Sequence, residues 1–335
     1  MKRTILNLAV VLVALSASVL IQAQTRSRNT AAPAPSVMTA LPESDAVAHV
    51  KVKQLLNEAM PRILANNPAK LAEVNANIDK FKDRTGLDPR MFEQVALGIR
   101  YTYPSEGVTK VQTVALANGS FSAAAMVAAG RIATNGKYRE EKYHDKTVYI
   151  FTLEENIKML GVFDFKIGEL AAAPLNNNVL ALGDPAAVRG AIDASRSGKQ
   201  ANAELIALAS RDPNAIIGFG SNMTEQLVEN LDIGNAPIAA DLKTLRQVYG
   251  SVGTTASDLQ LFLGARAVNA EAARSLSDTL DGLKQLGAIL VGRLSGAKGV
   301  LAKSALSNLT IVANANELQL RTSVAQAEVG PLLGN

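Results

Sequence analysis

Ser295-Gly-Ala-Lys298 places an amine one helical turn from a hydroxyl. Serine enzymes of cell-wall chemistry activate their nucleophile with that spacing, supported by Ser-Asp-Asn and Lys-Thr-Gly elements. Here the supports are missing. Ser277-Asp278-Thr279 is off-pattern and lies before the pair in the chain, and Lys146-Thr147-Val148 is not Lys-Thr-Gly. A triad would need a base, and the chain has two histidines, His49 and His144. His49 sits in an apolar alternating stretch that reads as a strand, and His144 beside Asp145 at a hairpin turn. No Gly-x-Ser-x-Gly elbow occurs.

Gly218-Phe-Gly220 has the first two glycines of a dinucleotide turn, but Met223 stands at the third; the pattern fits a strand where backbones pack closely. Asp79 and Asp83 share a helical face, and Asp83 and Asp88 flank a glycine turn. With Lys80, Lys82 and Arg84 interleaved, that reads as a solvated, ion-paired face and not as a metal cage. The paired acids Glu140-Glu141 and Glu154-Glu155, with Asp164, are the candidates for carboxylate-based hydrolysis. No catalytic, cofactor-binding or metal residue is assigned, and the expectation is a protein that is not an enzyme.

These side chains hang on a frame organised around two stretches. Residues 111–132 and 259–280 each read as a strand, a small-residue turn and an Ala-rich helix. In the first, Asn118-Gly119-Ser120 supplies turn and cap chemistry; in the second, Asn269 caps a helix from Ala270. Ala273, Leu276, Leu280 and Leu283 recur at threes and fours on one face of that helix. Residues 92–95 (Phe-Glu-Gln-Val) precede the first stretch as 245–248 (Leu-Arg-Gln-Val) precede the second, and 44–56 are answered by 213–225. The hairpin over 142–152 is matched with that over 310–324. The order of these echoes implies an internal duplication.

Between them the pattern predicts a strand over 46–52, then a helix over 53–64 interrupted at Pro61. Further helices are expected over 69–84, 186–196 (capped by Asp184), 203–210, 224–231 and 242–249, and strands over 95–103, 178–182 and 215–220.

The chain has 335 residues, 48% of them hydrophobic, only 4% aromatic and none cysteine. This excludes disulfides, thiolate chemistry and a Cys-linked lipid anchor. The net charge of +4 comes from Lys2, Arg3, Arg26 and Arg28; without them the body is neutral, which argues against nucleic acid as a partner. Residues 1–23 have a basic start, an uncharged apolar run from Ile5 and small residues before Gln24. That is the layout of a signal peptide cut between Ala23 and Gln24, for export to the periplasm or exterior of a bacterium. No stable membrane span is expected after cleavage. Residues 24–39, polar and proline-containing, read as a flexible linker, followed by halves over 40–199 and 200–335.

The opening Leu41-Pro-Glu-Ser-Asp-Ala-Val47, followed by a strand and a Leu-Leu-Asn-Glu helix, resembles uncharacterised secreted bacterial proteins built as leader, short linker and repeated α+β units. The resemblance implies export and fold. The expected architecture is α+β, two related halves each with a largely antiparallel sheet covered by helices. The expected role is a binding or assembly module of the cell envelope, with an envelope protein or an apolar ligand as partner. A carrier of an apolar molecule or lipid and a carboxylate hydrolase are the rivals. Residues 283–301, apolar, weakly basic and helical in period, suit either core packing or a membrane surface.

Overall fold

The computed structural model describes residues 36–332, apart from 86–87, 106–107, 135, 153–156, 160–162, 166–168, 200 and 230–235. The signal peptide expected over 1–23 and the cleavage site expected between Ala23 and Gln24 lie outside the described residues. The body is α+β and divides into two compact units, Pro33–Ala207 and Leu208–Asn335.

The first unit opens with a 3-10 turn, Ser36–Ala40, whose Val37 and Met38 are buried. The linker expected over 24–39 is therefore corrected at its end, because two apolar side chains there join the core. Its elements are β1 (Ala46–Val50), α1 (Val52–Gln54), α2 (Met60–Ile63), α3 (Pro68–Thr85), β2 (Phe92–Ser105), β3 (Val108–Gly119), α4 (Ala123–Ala133), β4 (Tyr138–Tyr143), β5 (Lys146–Thr152), β6 (Ile157–Met159), β7 (Phe163–Phe165), β8 (Glu169–Asn176), β9 (Val179–Gly183) and α5 (Pro185–Ser197). A π-helical turn, Leu55–Ala59, joins α1 to α2 just ahead of Pro61, which has no N–H to give to the preceding turn.

The strands form an antiparallel sheet in the order β1-β2-β3-β9-β8-β5-β4. α4 lies on one face, over Ala117, Phe151, Ala172 and Leu180. Ser122, and not Ser120, caps it by accepting from the Ala125 N–H at 3.3 Å. Leu41 and Ser44 pack against Gly98 on the other face, and Pro42 against Gly190 of α5. Asn202 clamps that segment: its side chain accepts from Ser44 N at 2.9 Å and donates to Pro42 O at 2.7 Å. Asp184 precedes α5 without capping it; its carboxylate takes Thr113 N at 2.6 Å and Thr113 Oγ1 at 3.1 Å instead.

The unit boundary falls within α6 (Ala203–Ala209). The second unit runs through β10 (Ala215–Asn222), α7 (Glu225–Glu229), α8 (Ala236–Lys243), β11 (Leu245–Thr254), β12 (Asp258–Ala267), α9 (Ala270–Val291), α10 (Gly296–Ser307), β13 (Thr310–Asn314), β14 (Glu317–Ala325) and α11 (Gln326–Val329). Its antiparallel sheet has the order β10-β11-β12-β14-β13. The helix expected over 242–249 is corrected: α8 ends at Lys243, and Leu245 begins β11, whose Leu245 and Val248 join the cluster under α9 while the buried Gln247, Tyr249 and Ser251 lie on the opposite face. Asn269 caps α9, accepting from Ala272 N at 2.8 Å.

Five strands of the first unit, β1-β2-β3-β9-β8, have the order and directions of β10-β11-β12-β14-β13. The registers agree as well. Phe92 pairs with Gly119, and Gln94 with Asn118, so Glu93 is an extra residue; Leu245 pairs with Ala267, and Gln247 with Arg266, so Arg246 is its counterpart. The hairpin matched to 310–324 was the wrong one. β14 pairs with β12 as β9 pairs with β3, so β8–β9 is the equivalent of β13–β14. β4–β5 adds an edge with no counterpart. The β1 match is also two residues out, since Ala46 (opposite Ile99) corresponds to Ile217 (opposite Val252).

Candidate functional site

The residues with chemical spacing do not assemble. Ser295 stands outside α10 as its N-cap, and both it and Lys298 are exposed. Gly218 and Gly220 lie inside β10, paired with Ser251 and Tyr249, so there is no strand-to-helix turn for a dinucleotide there. Asp79 bonds Arg90 at 2.8 Å, and Lys82 lies 3.4 Å from Asp88; the helix face is ion-paired, with Arg90 supplied from the 3-10 turn Pro89–Met91.

His49 is 3% exposed in β1 and its Nδ1 has no hydrogen-bond partner. Burial, and secondarily the charge of Lys51, lowers its pKa to about 4, so the ring is neutral near pH 7. His144 occupies the β4–β5 turn with φ 52°, and its Nε2 lies 3.1 Å from Asp193 Oδ1; Tyr143 donates to Asp193 Oδ2 at 2.8 Å.

Glu140 and Glu141 are neighbours on one strand and so point to opposite sides of the sheet. Glu140 meets Arg131 at 3.6 Å on the α4 side. Glu141 takes the Arg189 fork from α5 at 2.7 and 2.8 Å, and that hydrogen-bonded guanidinium holds its carboxyl below the usual range. This pair cannot converge on one substrate. Glu154, Glu155 and the Asp164 side chain lie outside the described residues.

The arrangement with the plainest surface consequence is the helical pair α9–α10. The first half of α9 buries Ala273, Leu276 and Ser277 against the sheet, with Leu280 half-buried. Its second half keeps an apolar face beyond the sheet's reach. Leu286, Ile289 and Leu290 are 59%, 64% and 61% exposed, with Leu283 and Leu294 also open. At 100° per residue, Leu283, Leu286, Ile289 and Leu290 span a sector of roughly 120° beside the buried face.

α10 is held from below. Leu301 and Ala305 are buried, and the Ala305 carbonyl accepts from Thr322 Oγ1 of β14 at 3.1 Å. Val300 points out, 53% exposed. Gly287 leaves room for Leu306, so the two helices touch closely. Lys284 Nζ donates to the Leu309 carbonyl at 2.5 Å, while Arg293, Lys298 and Lys303 are exposed. From Gly282 to Asn316 the chain carries four basic residues and no acid. An amphipathic helical pair with basic flanks and an open apolar sector can bind an interface between water and an apolar phase.

Among the described residues no helix is long and apolar enough to cross a membrane. No protein-family model and no curated protein matches the sequence. Among solved structures, crystal form III of TP0453 is similar at 11% identity over 89% of this chain and 96% of that one, with a TM-score of 0.44. Crystal form IV gives 10% identity over 89% and 96%, TM-score 0.43; form I gives 11% over 90% and 97%, TM-score 0.42. A likeness at that level carries no argument.

Proposed function

We propose that the chain is an exported cell-envelope protein that works by binding, and that α9–α10 seats it on the surface of an anionic bilayer. The leader over 1–23 supports export. The observation that carries the reading is the coincidence, within 283–303, of exposed Leu286, Ile289, Leu290, Leu294 and Val300 with exposed Arg293, Lys298 and Lys303. A patch meant for water alone would not leave three large aliphatic side chains more than half open on consecutive turns of one helix.

Charge selects the kind of surface. Each basic side chain near an anionic leaflet contributes about 1 kcal/mol. Each half-open Leu or Ile entering the acyl boundary adds roughly another 1 kcal/mol, half the value for full burial. Together these exceed either contribution alone, so binding requires both and falls with added salt.

Co-sedimentation of the full chain with vesicles tests the reading. The expected outcome is binding to vesicles containing phosphatidylglycerol, weak binding to pure phosphatidylcholine, and loss of binding in Leu286→Asp/Ile289→Asp with an unchanged circular dichroism spectrum. Equal binding to neutral vesicles, or an apolar face consumed by a dimer that never meets lipid, would overturn it.

A further inference from the structure

The second sheet has another face, away from α9 and α10. In the first unit, the equivalent face is small and apolar (Ala96, Gly98, Leu116, Val114, Gly183) and is covered by the segment around Leu41–Ser44. The matching register positions in the second unit are Tyr249, Ser251, Gly264, Phe262 and Arg321. Arg266 follows on the same face, opposite Gln247 and Glu317. The helix after β14, α11, has four residues, whereas α5 after β9 has thirteen. Where the first unit packs its own chain over small residues, the second lays guanidinium groups over the buried Tyr249 and Phe262, with Arg211 and Arg321 exposed and Arg266 half-buried.

Three arginines gather there on two rings. Arg211, from the loop before β10, stacks over Tyr249 and Phe262 with its Cζ 5.2 and 5.8 Å from their centroids. Arg321 sits 4.2 Å over Phe262, and Arg266 6.0 Å from Tyr249. Tyr249 lies across Gly264, at a distance where a Cβ would come within 2.2 Å of its ring, and so is held flat as a base for these groups. Arg211 bonds the Tyr249 hydroxyl and Glu317. Arg266 donates to Gln247 Oε1 at 3.0 Å. Arg321 donates to the neutral amide of Gln319 at 3.2 Å, and among the described residues no carboxylate hydrogen-bonds it. Asp212 faces the cluster but accepts from Ser251 Oγ at 3.2 Å. Around Arg321, the charges that act on it are those of Arg211, Asp212 and Glu317. Burial and the neighbouring Arg211 charge lower the Arg321 pKa, as expected for like charges held together.

We infer that Arg321 and Arg266, backed by Arg211, form a binding site for an oxyanion of the phosphate class on this face of the second unit. A phosphate accepts from planar guanidinium forks in pairs, and an aromatic floor keeps those forks pre-aligned. The site is separate from the α9–α10 surface and does not depend on it.

Titration of the full chain with inorganic phosphate, without vesicles, followed by the arginine Nε–H signals in NMR, tests the inference. Saturable shifts at Arg321 and Arg266 are expected, with affinity falling about tenfold in Arg321→Gln, the loss expected for one charge-assisted hydrogen bond. Arg321→Lys, which keeps the charge, is expected to retain part of it. Arg139→Gln, in the first unit, serves as control and is expected to bind as the unaltered chain does. Tighter binding of glycerol phosphate than of inorganic phosphate would identify the source as a lipid headgroup; equal binding would identify free phosphate. No saturable shift, or binding unchanged in both Arg321→Gln and Arg266→Gln, would overturn the site. Vesicle binding lost in Leu286→Asp/Ile289→Asp while phosphate binding persists would show the two surfaces to be independent.

Discussion

His49 shows how one side chain ties the fold to pH. Its folded-state pKa of about 4 lies below the ordinary 6.5 because burial disfavours the charged ring and the Lys51 charge repels it. Between those values the unfolded chain takes up a proton that the folded chain refuses. The contribution is therefore complete above about pH 6.5 and is lost as pH falls toward 4, about 3 kcal/mol in all. Urea midpoints at pH 7 and about pH 4.5 should separate further in the unaltered protein than in His49→Gln. An equal fall in both would show that another group is responsible. The sequence placed His49 in a strand, since Ala46–Val50 alternates. It could not show that the ring is buried with its Nδ1 unbonded, because that depends on elements distant in the chain. The arginine cluster was missed altogether. Its signal was present in the polar alternation of Glu317, Gln319, Arg321 and Ser323, but Arg211 reaches it from more than a hundred residues upstream.

At the scale of elements, the two bulges are the sharpest agreement between the halves. Gly119 sits where its own β-carbon would come within 2.1 Å of the Met91 carbonyl oxygen and 2.9 Å of the Phe92 Cα, both backbone. The matching residue in the second unit is Ala267. Gly119→Ala should cost about 2–4 kcal/mol, because rigid backbone must move to admit a methyl group, whereas Ala267→Gly should cost about 1 kcal/mol. Thermal denaturation of both variants measures this; a neutral Gly119→Ala would mean that the strand start is loose. Elements with a strong period were legible, among them α3, α5, α9 and the turn before β14. β8 was not, because Glu169–Asn176 is mostly small residues with a proline and carries no alternation. The stretch after α8 has no decisive period, since Leu245 and Val248 fit either a helix face or a bulged strand.

For the whole molecule, the surface reading localises membrane contact to one unit. Hydrogen exchange in the presence of phosphatidylglycerol vesicles should rise in protection over residues 283–300 and leave the strands of residues 36–207 unchanged. Protection centred on the first unit would refute that assignment. The shared order and register of five strands support our proposal that both units descend from one module. β4–β5 and the longer α5 are then what the first unit added, and the arginine-bearing face is what sets the second apart.

By itself the sequence determined the local frame: a basic and apolar N-terminal run, a cysteine-free chain, an α+β alternation and the cap at Asn269. Those features are set by residues within a turn or two of each other. The tertiary structure decided which hairpins share a strand order, that Glu140 and Glu141 face apart, and that Leu286, Ile289 and Leu290 stay more than half exposed. Each of those depends on pairing across the sheet or on where a helix outruns its support, and no window along the chain contains that information.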